Sequence, residues 1–138
     1  MRVLIIGCGR VGAVLANRLD EAGHQVVVLD KDQQAFRRLS EKFRGERMMG
    51  NGLIDEYTRP LLQEKTDILF VLTDKDNINL MIGQKVKRNV QVGRVITEVH
   101  DSILAGLYKE LGLETVCPTD LVIKDMLQMV QEAEGPGR

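Results

Sequence analysis

Apolar residues fall in two rhythms along the chain. Short apolar runs occupy 3–6, 26–29, 48–49, 68–72, 95–97 and 115–117. The first, second and fourth are solidly apolar rather than alternating, as expected of parallel strands covered on both faces. Between the runs lie amphipathic stretches at 10–22, 33–43, 55–64, 77–89, 101–111 and 119–133. Strand followed by helix, repeated six times, predicts an α/β class protein with right-handed crossovers and a doubly wound, parallel six-stranded sheet. The pattern uses residues 1–134 as one domain and leaves 135–138, Gly-Pro-Gly-Arg, as a disordered tail.

Local signals punctuate the helices. Gly23, Gly45 and Gly112 stand where helices stop. Asp101 and Thr119 stand at expected N-caps, and Pro118 separates the last strand from the last helix. Composition narrows the function. The 138 residues are the length of one domain, with 43% hydrophobic and 28% charged residues. A net charge of -1 argues against nucleic-acid binding, which favours a basic excess. No apolar run reaches the length of a membrane span, and the four apolar residues after Arg2 are too few for a secretion signal. Two cysteines rule out a disulfide scaffold, and no spacing suggests a metal site.

The most informative segment is Gly7-Cys8-Gly9-Arg10-Val11-Gly12. A G-x-G-x-x-G is weak alone, but here it follows an apolar strand, opens an amphipathic helix and precedes a second apolar strand that ends in Asp30. The glycines would serve a tight turn, close approach of backbone to a pyrophosphate, and helix–strand packing. The helix N-terminus offers free N–H groups and a positive dipole to phosphate. Asp30 would accept hydrogen bonds from ribose hydroxyls and disfavour a 2′-phosphate. Arg10 would clamp phosphate. The constellation predicts a Rossmann-type sheet of order 3-2-1-4-5-6 that binds NAD(H) or an adenine nucleotide.

No residue is assigned to catalysis. The chain has two histidines. His24 falls in a turn. His100 follows the fifth strand, at the carboxyl edge where ligands bind, but a bland role is preferred because a lone histidine is no acid–base system. Nucleotide binding without catalysis is the property of a sensor.

With Gly7–Gly12, Leu29-Asp30-Lys31-Asp32, Leu72-Thr73-Asp74 through Asn79, and Leu111-Gly112 leading to Cys117-Pro118-Thr119, the chain resembles the N-terminal domain of the regulators of potassium conductance, the RCK or TrkA-N domains of Trk/Ktr-type systems. The resemblance spans about 1–134. It implies a six-stranded Rossmann unit that binds NAD(H), ATP, ADP or a related nucleotide. It also implies dimers, often assembled into rings, on the cytoplasmic side of a membrane-embedded potassium channel or transporter, where the ligand gates ion flow. By position it assigns Arg10 to the phosphates, Asp30 to the ribose with Lys31 beside it, and Thr73 and Asp74 to the loop facing the glycine turn. Asn51, Gly52 and Leu53 fall on the adenine side, with Asn51 replacing the family's usual Asp and Leu53 a usually small residue.

Two further departures bear on the ligand. Glu98 ends the fifth strand where the family often has Arg or Lys, and a carboxylate there would repel a triphosphate. That disfavours ATP without metal and leans toward NAD(H), ADP or AMP. Thr119 follows Pro118 where the family often has Glu. Family members usually carry a further ligand-binding domain, so the chain is expected to be a truncated piece or a stand-alone unit with a separate partner.

The last stretch, 119–133, has more apolar surface than one contact needs. At 100° per residue, Val122, Met126, Met129 and Ala133 cluster within about 60°, and Ile123, Leu127 and Val130 form a second cluster roughly 100° away. The excess predicts a second partner surface, and the resemblance implies that this helix crosses to a neighbouring subunit in a homodimer. A terminal helix laid over the sheet edge is the alternative. Cys8 and Cys117 are expected about 14 Å apart, too far for a disulfide. Cys8 at a helix N-terminus could have a lowered pKa and sense oxidants, although small residues are the ordinary filler of this turn. The rival functions are an NAD-dependent oxidoreductase fragment and an assembly module without a ligand.

Overall fold

A computed structural model describes residues 1–136. Six strands form one parallel sheet: β1 (Arg2–Ile6), β2 (Gln25–Asp30), β3 (Glu46–Met49), β4 (Thr66–Val71), β5 (Val92–Glu98) and β6 (Glu114–Val116). Their order is β3-β2-β1-β4-β5-β6, as the sequence predicts. Five α-helices connect and follow them: α1 (Arg10–Glu21), α2 (Asp55–Leu61), α3 (Asp76–Lys87), α4 (Ser102–Glu110) and α5 (Pro118–Glu134).

The parity of the strand residues builds the two layers. Val3 and Ile5 of β1 join Val26 and Val28 of β2 under Ala13 and Ala16 of α1. Leu4 and Ile6 point the other way, with Val27, Leu29, Leu69 and Val71, under Leu61 of α2 and Ile82 and Val86 of α3. Side chains of a strand alternate between faces, so a solid apolar run feeds both layers at once. A third, smaller cluster around Val99, Tyr108 and Leu113 seats α4 at the β6 end.

Four expectations fail in informative ways. The stretch 33–43 is not an α-helix but a 3-10 segment, Gln33–Arg38, opened by Asp32, whose carboxylate accepts the Gln34 N–H at 2.9 Å. The chain after it is tied to α1 instead: Asn17 accepts the Ser40 N–H at 2.9 Å and Asp20 accepts the Arg44 N–H at 3.0 Å. Gly45 therefore ends no helix; a side chain there would meet the Val26 carbonyl oxygen at 2.5 Å. The helix expected over 55–64 ends at Leu61, and its C-cap Leu62 donates to the Thr58 and Arg59 carbonyls. Thr119 caps nothing: Cys117 is the α5 N-cap, and the Thr119 hydroxyl donates to the His100 carbonyl at 2.6 Å. By contrast Asp101 does cap α4, accepting the N–H groups of Ile103 and Leu104. Gly23 and Gly112 take positive φ after α1 and α4.

α5 does not lie over the sheet edge. None of its residues is buried, and Leu121, Val122, Ile123, Met126, Leu127, Met129 and Val130 are each about half exposed. Of the tail, Gly135 ends α5 with a φ of +74°; 137–138 lie outside the described residues. Among the described residues no helix is long and apolar enough to cross a membrane.

Candidate functional site

The sheet order reverses between β1 and β4, and a cavity of about 520 Å³ opens there at the carboxyl ends of the strands. Such switch points are where open α/β sheets hold ligands. Every expected binding residue except Gly12 lines it: the turn Gly7–Val11, Asp30 and Lys31 after β2, Asn51–Leu53 after β3, Thr73 and Asp74 after β4, and Glu98 at the end of β5.

The three glycines divide the work. Gly7 has a φ of +107°, and a Cβ there would meet the Leu72 carbonyl oxygen at 2.5 Å. Gly12 lies beneath the turn, where a Cβ would stand 2.0 Å from the Gly7 carbonyl oxygen, so its absence lets α1 close on the turn. Gly9 is different: a Cβ would meet nothing within 4 Å. Its bareness relieves no contact inside the protein and leaves backbone open to the cavity.

Asp30 locks this turn. Its Oδ2 accepts the Cys8 N–H at 2.8 Å and its Oδ1 accepts the Asp32 N–H at 2.8 Å. An ionised carboxylate has about four acceptor positions, so each oxygen retains capacity for a ribose hydroxyl. The N-terminus of α1 has neither a side-chain cap nor an acidic residue in its first turn. Its first N–H groups lack intrahelical partners, and its positive end faces the cavity. Arg10 is exposed there. Arg38, from the 3-10 segment, leans back over the turn and donates to the Cys8 carbonyl at 3.5 Å.

After β3, Asn51 shapes the turn itself: its Oδ1 accepts the Leu53 N–H at 3.0 Å. An Asn performs there the backbone-capping role that an Asp would. Gly52 packs on the floor, where a Cβ would meet Ile6 at 2.8 Å.

The opposite side is organised by one buried residue. Asn79 of α3 is fully buried; it accepts the Thr73 N–H and donates to the carbonyls of Thr73 and Glu98, all at 3.0 Å. The Thr73 hydroxyl also bonds its Oδ1. Asn79 thus fixes the β4 loop to the end of β5. Beyond it His100 lies between two carboxylates. Its Nδ1 is 2.8 Å from Asp76 Oδ1 and its Nε2 is 3.0 Å from Glu98 Oε1. Burial raises the Asp76 carboxyl, but the N–H groups of His100 and Asp101 and the His100 ring outweigh it and hold the group below its ordinary value. Glu98 goes the other way: burial pushes it up, against the opposing pull of His100.

One sequence reading changes. Cys8 does not have a lowered pKa; burial and the nearby Asp30 push its thiol up to about 11. It is fully buried, its Sγ 3.5 Å from the Ala35 carbonyl oxygen, so it is packing filler. Cys117 is also a free thiol. His100 stands on the cavity wall, at the carboxyl edge where the sequence puts it. Arg38 is not foreseeable, because a helix over 33–43 would have set a different phase for it. Asp76 and Asn79 sit inside the quoted motif, but nothing in their spacing reveals that one reaches His100 and the other Glu98.

The geometry has counterparts. The family model described as the TrkA-N domain matches residues 3–119. The Trk system potassium uptake protein TrkA of Streptomyces coelicolor is 33% identical over 128 residues, covering 93% of this chain and 57% of that protein. This chain therefore spans little more than half of that relative. Among solved structures, the C-terminal domain of Shewanella denitrificans Kef in an AMP-bound form superposes with a TM-score of 0.80 at 18% identity, covering 99% of this chain and 84% of that one. The TrkA-N domain of the inner membrane protein ybaL from Escherichia coli superposes with a TM-score of 0.78 at 20% identity, covering 93% and 95%. With a family model matched from β1 to the start of α5, and the glycine turn, Asp30 and the β4 loop gathered around one cavity, the chain belongs to the TrkA-N domain family.

Proposed function

We propose that this chain is the nucleotide-sensing regulatory domain of a Trk-type potassium uptake system, taking NAD(H) or an adenine nucleotide as an effector. One observation carries the reading: the uncapped, acid-free N-terminus of α1 and the bare Gly9 face the same cavity as Asp30. That arrangement supports a path on which free N–H groups meet phosphate and Asp30 meets a ribose. Arg10, with Arg38 and Lys31, supplies the positive charge; Thr73 and Asp74 close the β4 side, and Asn51–Leu53 border the base. The AMP-bound Shewanella domain shares the fold and supports a nucleotide as the ligand class. The name of the Streptomyces relative supports potassium uptake as the process.

In this reading the ligand is an effector and no residue is catalytic. The imidazole in the cavity has both ring nitrogens against carboxylates of the protein rather than one turned to a substrate. The partners are a second copy, docked through the exposed apolar face of α5, and a membrane-embedded potassium transporter or channel reached from the cytoplasm.

The test is a thermal-shift series with NAD⁺, NADH, ATP, ADP and AMP on the wild type, Arg10→Ala and Asp30→Asn. Asparagine is the better replacement because Asp30 also holds two backbone N–H groups. The expected result is stabilisation of the wild type by at least one nucleotide and its loss in both variants. Absence of a shift with every nucleotide would overturn the proposal and favour an assembly module without a ligand.

A further inference from the structure

The nucleotide cavity is electrically two-ended. Arg10, Arg38 and the α1 N-terminus stand on the glycine-turn side, whereas Glu98 and His100 line the β4–β5 side, with Asp76 paired to His100. On the reading that the site binds a nucleotide, we propose that the Glu98–His100–Asp76 group forms a cation-selecting subsite that binds the oxidised, positively charged nicotinamide ring of NAD⁺ in preference to the neutral ring of NADH.

Placement follows from the fold. Asp30 ends β2 and addresses the ribose of the first nucleotide, and the α1 N-terminus addresses the pyrophosphate. A dinucleotide lies across the two halves of such a sheet, so its second nucleotide crosses to the β4–β5 half. The same cavity reaches continuously from Asn51 to Glu98 and His100. The nicotinamide end therefore arrives at the carboxylates.

Charge follows from counting protons. His100 has one carboxylate oxygen at each ring nitrogen, at 2.8 and 3.0 Å. A neutral imidazole has one N–H and satisfies only one ionised acceptor; the other contact needs a second proton, on the ring or on a carboxyl. An imidazolium between two carboxylates has net charge −1. A neutral ring between one carboxylate and one carboxylic acid also has net charge −1. The group is anionic either way. Glu98 is only 4% exposed, its Oε1 is paired with His100, and the residue lines the cavity. A net negative group in so sheltered a site is stabilised by a positive charge brought toward it. NAD⁺ brings that charge; NADH does not. Asp74 and Lys75, also on the wall, offset one another.

The test is calorimetric titration of the intact chain with NAD⁺, NADH and ADP-ribose, which lacks the nicotinamide ring. One net charge roughly 10 Å away, at an effective dielectric of about 20, favours NAD⁺ over NADH on the order of tenfold. In the double variant Glu98→Gln/Asp76→Asn, which keeps the shape and removes both acids, the ratio is expected to fall toward one. Equal affinities in the wild type, tighter NADH, or a ratio that survives the double variant would overturn the subsite while leaving the nucleotide site standing, since ADP-ribose would still bind. Failure of all three ligands to bind would remove the nucleotide reading itself, and the subsite with it. The wild-type ratio is decisive where the variant does not fold.

Discussion

Adding one methyl group to Gly9, and one to Gly12, separates the ligand's demands on the turn from the fold's. The Gly9 backbone, at φ −79° and ψ −161°, is extended and open to alanine, and the new Cβ would meet nothing within 4 Å. Alanine is a poorer N-cap than glycine by a few tenths of a kcal/mol or somewhat more. It also restricts the unfolded chain, which stabilises by about 0.4–1 kcal/mol. The two effects nearly cancel, so Gly9→Ala is expected to move the melting temperature of the free protein by less than about 2 °C, at about 3–4 °C per kcal/mol for this length. The same methyl fills the space through which a pyrophosphate approaches the backbone. A nucleotide at 100 times its dissociation constant stabilises by about 2.7 kcal/mol, or roughly 9 °C. Gly9→Ala should abolish most of that shift. Gly12→Ala meets the Gly7 carbonyl oxygen at 2.0 Å and must push α1 off the turn. It should cost about 1–3 kcal/mol without any ligand. The assay is differential scanning fluorimetry of the three proteins with and without nucleotide. A Gly9→Ala protein that melts like the wild type and binds nucleotide equally well would refute the reasoning, because the ligand would then not touch this backbone.

Three other outcomes are expected. Asn79→Ala should lower unfolding free energy by about 3–5 kcal/mol, because it leaves the Thr73 N–H and two carbonyls without partners at a fully buried position; urea denaturation reads it, and a loss below about 1 kcal/mol would show that those groups find other partners. Asp76 is held below its ordinary value, so its contribution is present above about pH 4 and is lost as pH falls through the lower, folded value. Glu98 is raised, so its ionisation opposes folding as pH rises above about 4.5; Asp76→Asn should therefore flatten the acid limb of the stability–pH curve, and Glu98→Gln the limb just above it. Leu127→Glu, on the exposed apolar face of α5, should convert a dimer to a monomer with an unchanged circular dichroism spectrum; light scattering checks this, and a wild type that is monomeric at every concentration would refute the dimer.

The amino-acid sequence by itself determined the sheet, its parallel order and the glycine turn at the mouth of the cavity. Solid apolar runs must be covered on both faces, and a glycine turn between strand and helix leaves few topologies to consider. The glycine spacing also predicts separate duties for Gly7, Gly9 and Gly12, and the folded backbone shows the tight turn at Gly7 and the close helix packing at Gly12. Tertiary structure alone decided what lines the far end of the cavity. His100, Asp76 and Glu98 come from a loop, a helix start and a strand end, and no periodicity encodes a contact between the ring of one and the carboxylates of the others. The same holds for Arg38, which a 3-10 segment rather than an α-helix turns toward Cys8. Cys8 shows the limit most directly. Its position at a helix N-terminus suggests a lowered pKa, yet burial in the β1–α1 layer raises it, because desolvation of a thiolate outweighs the field of a helix end. Charge and proton placement depend on distance and burial, which are properties of the folded chain.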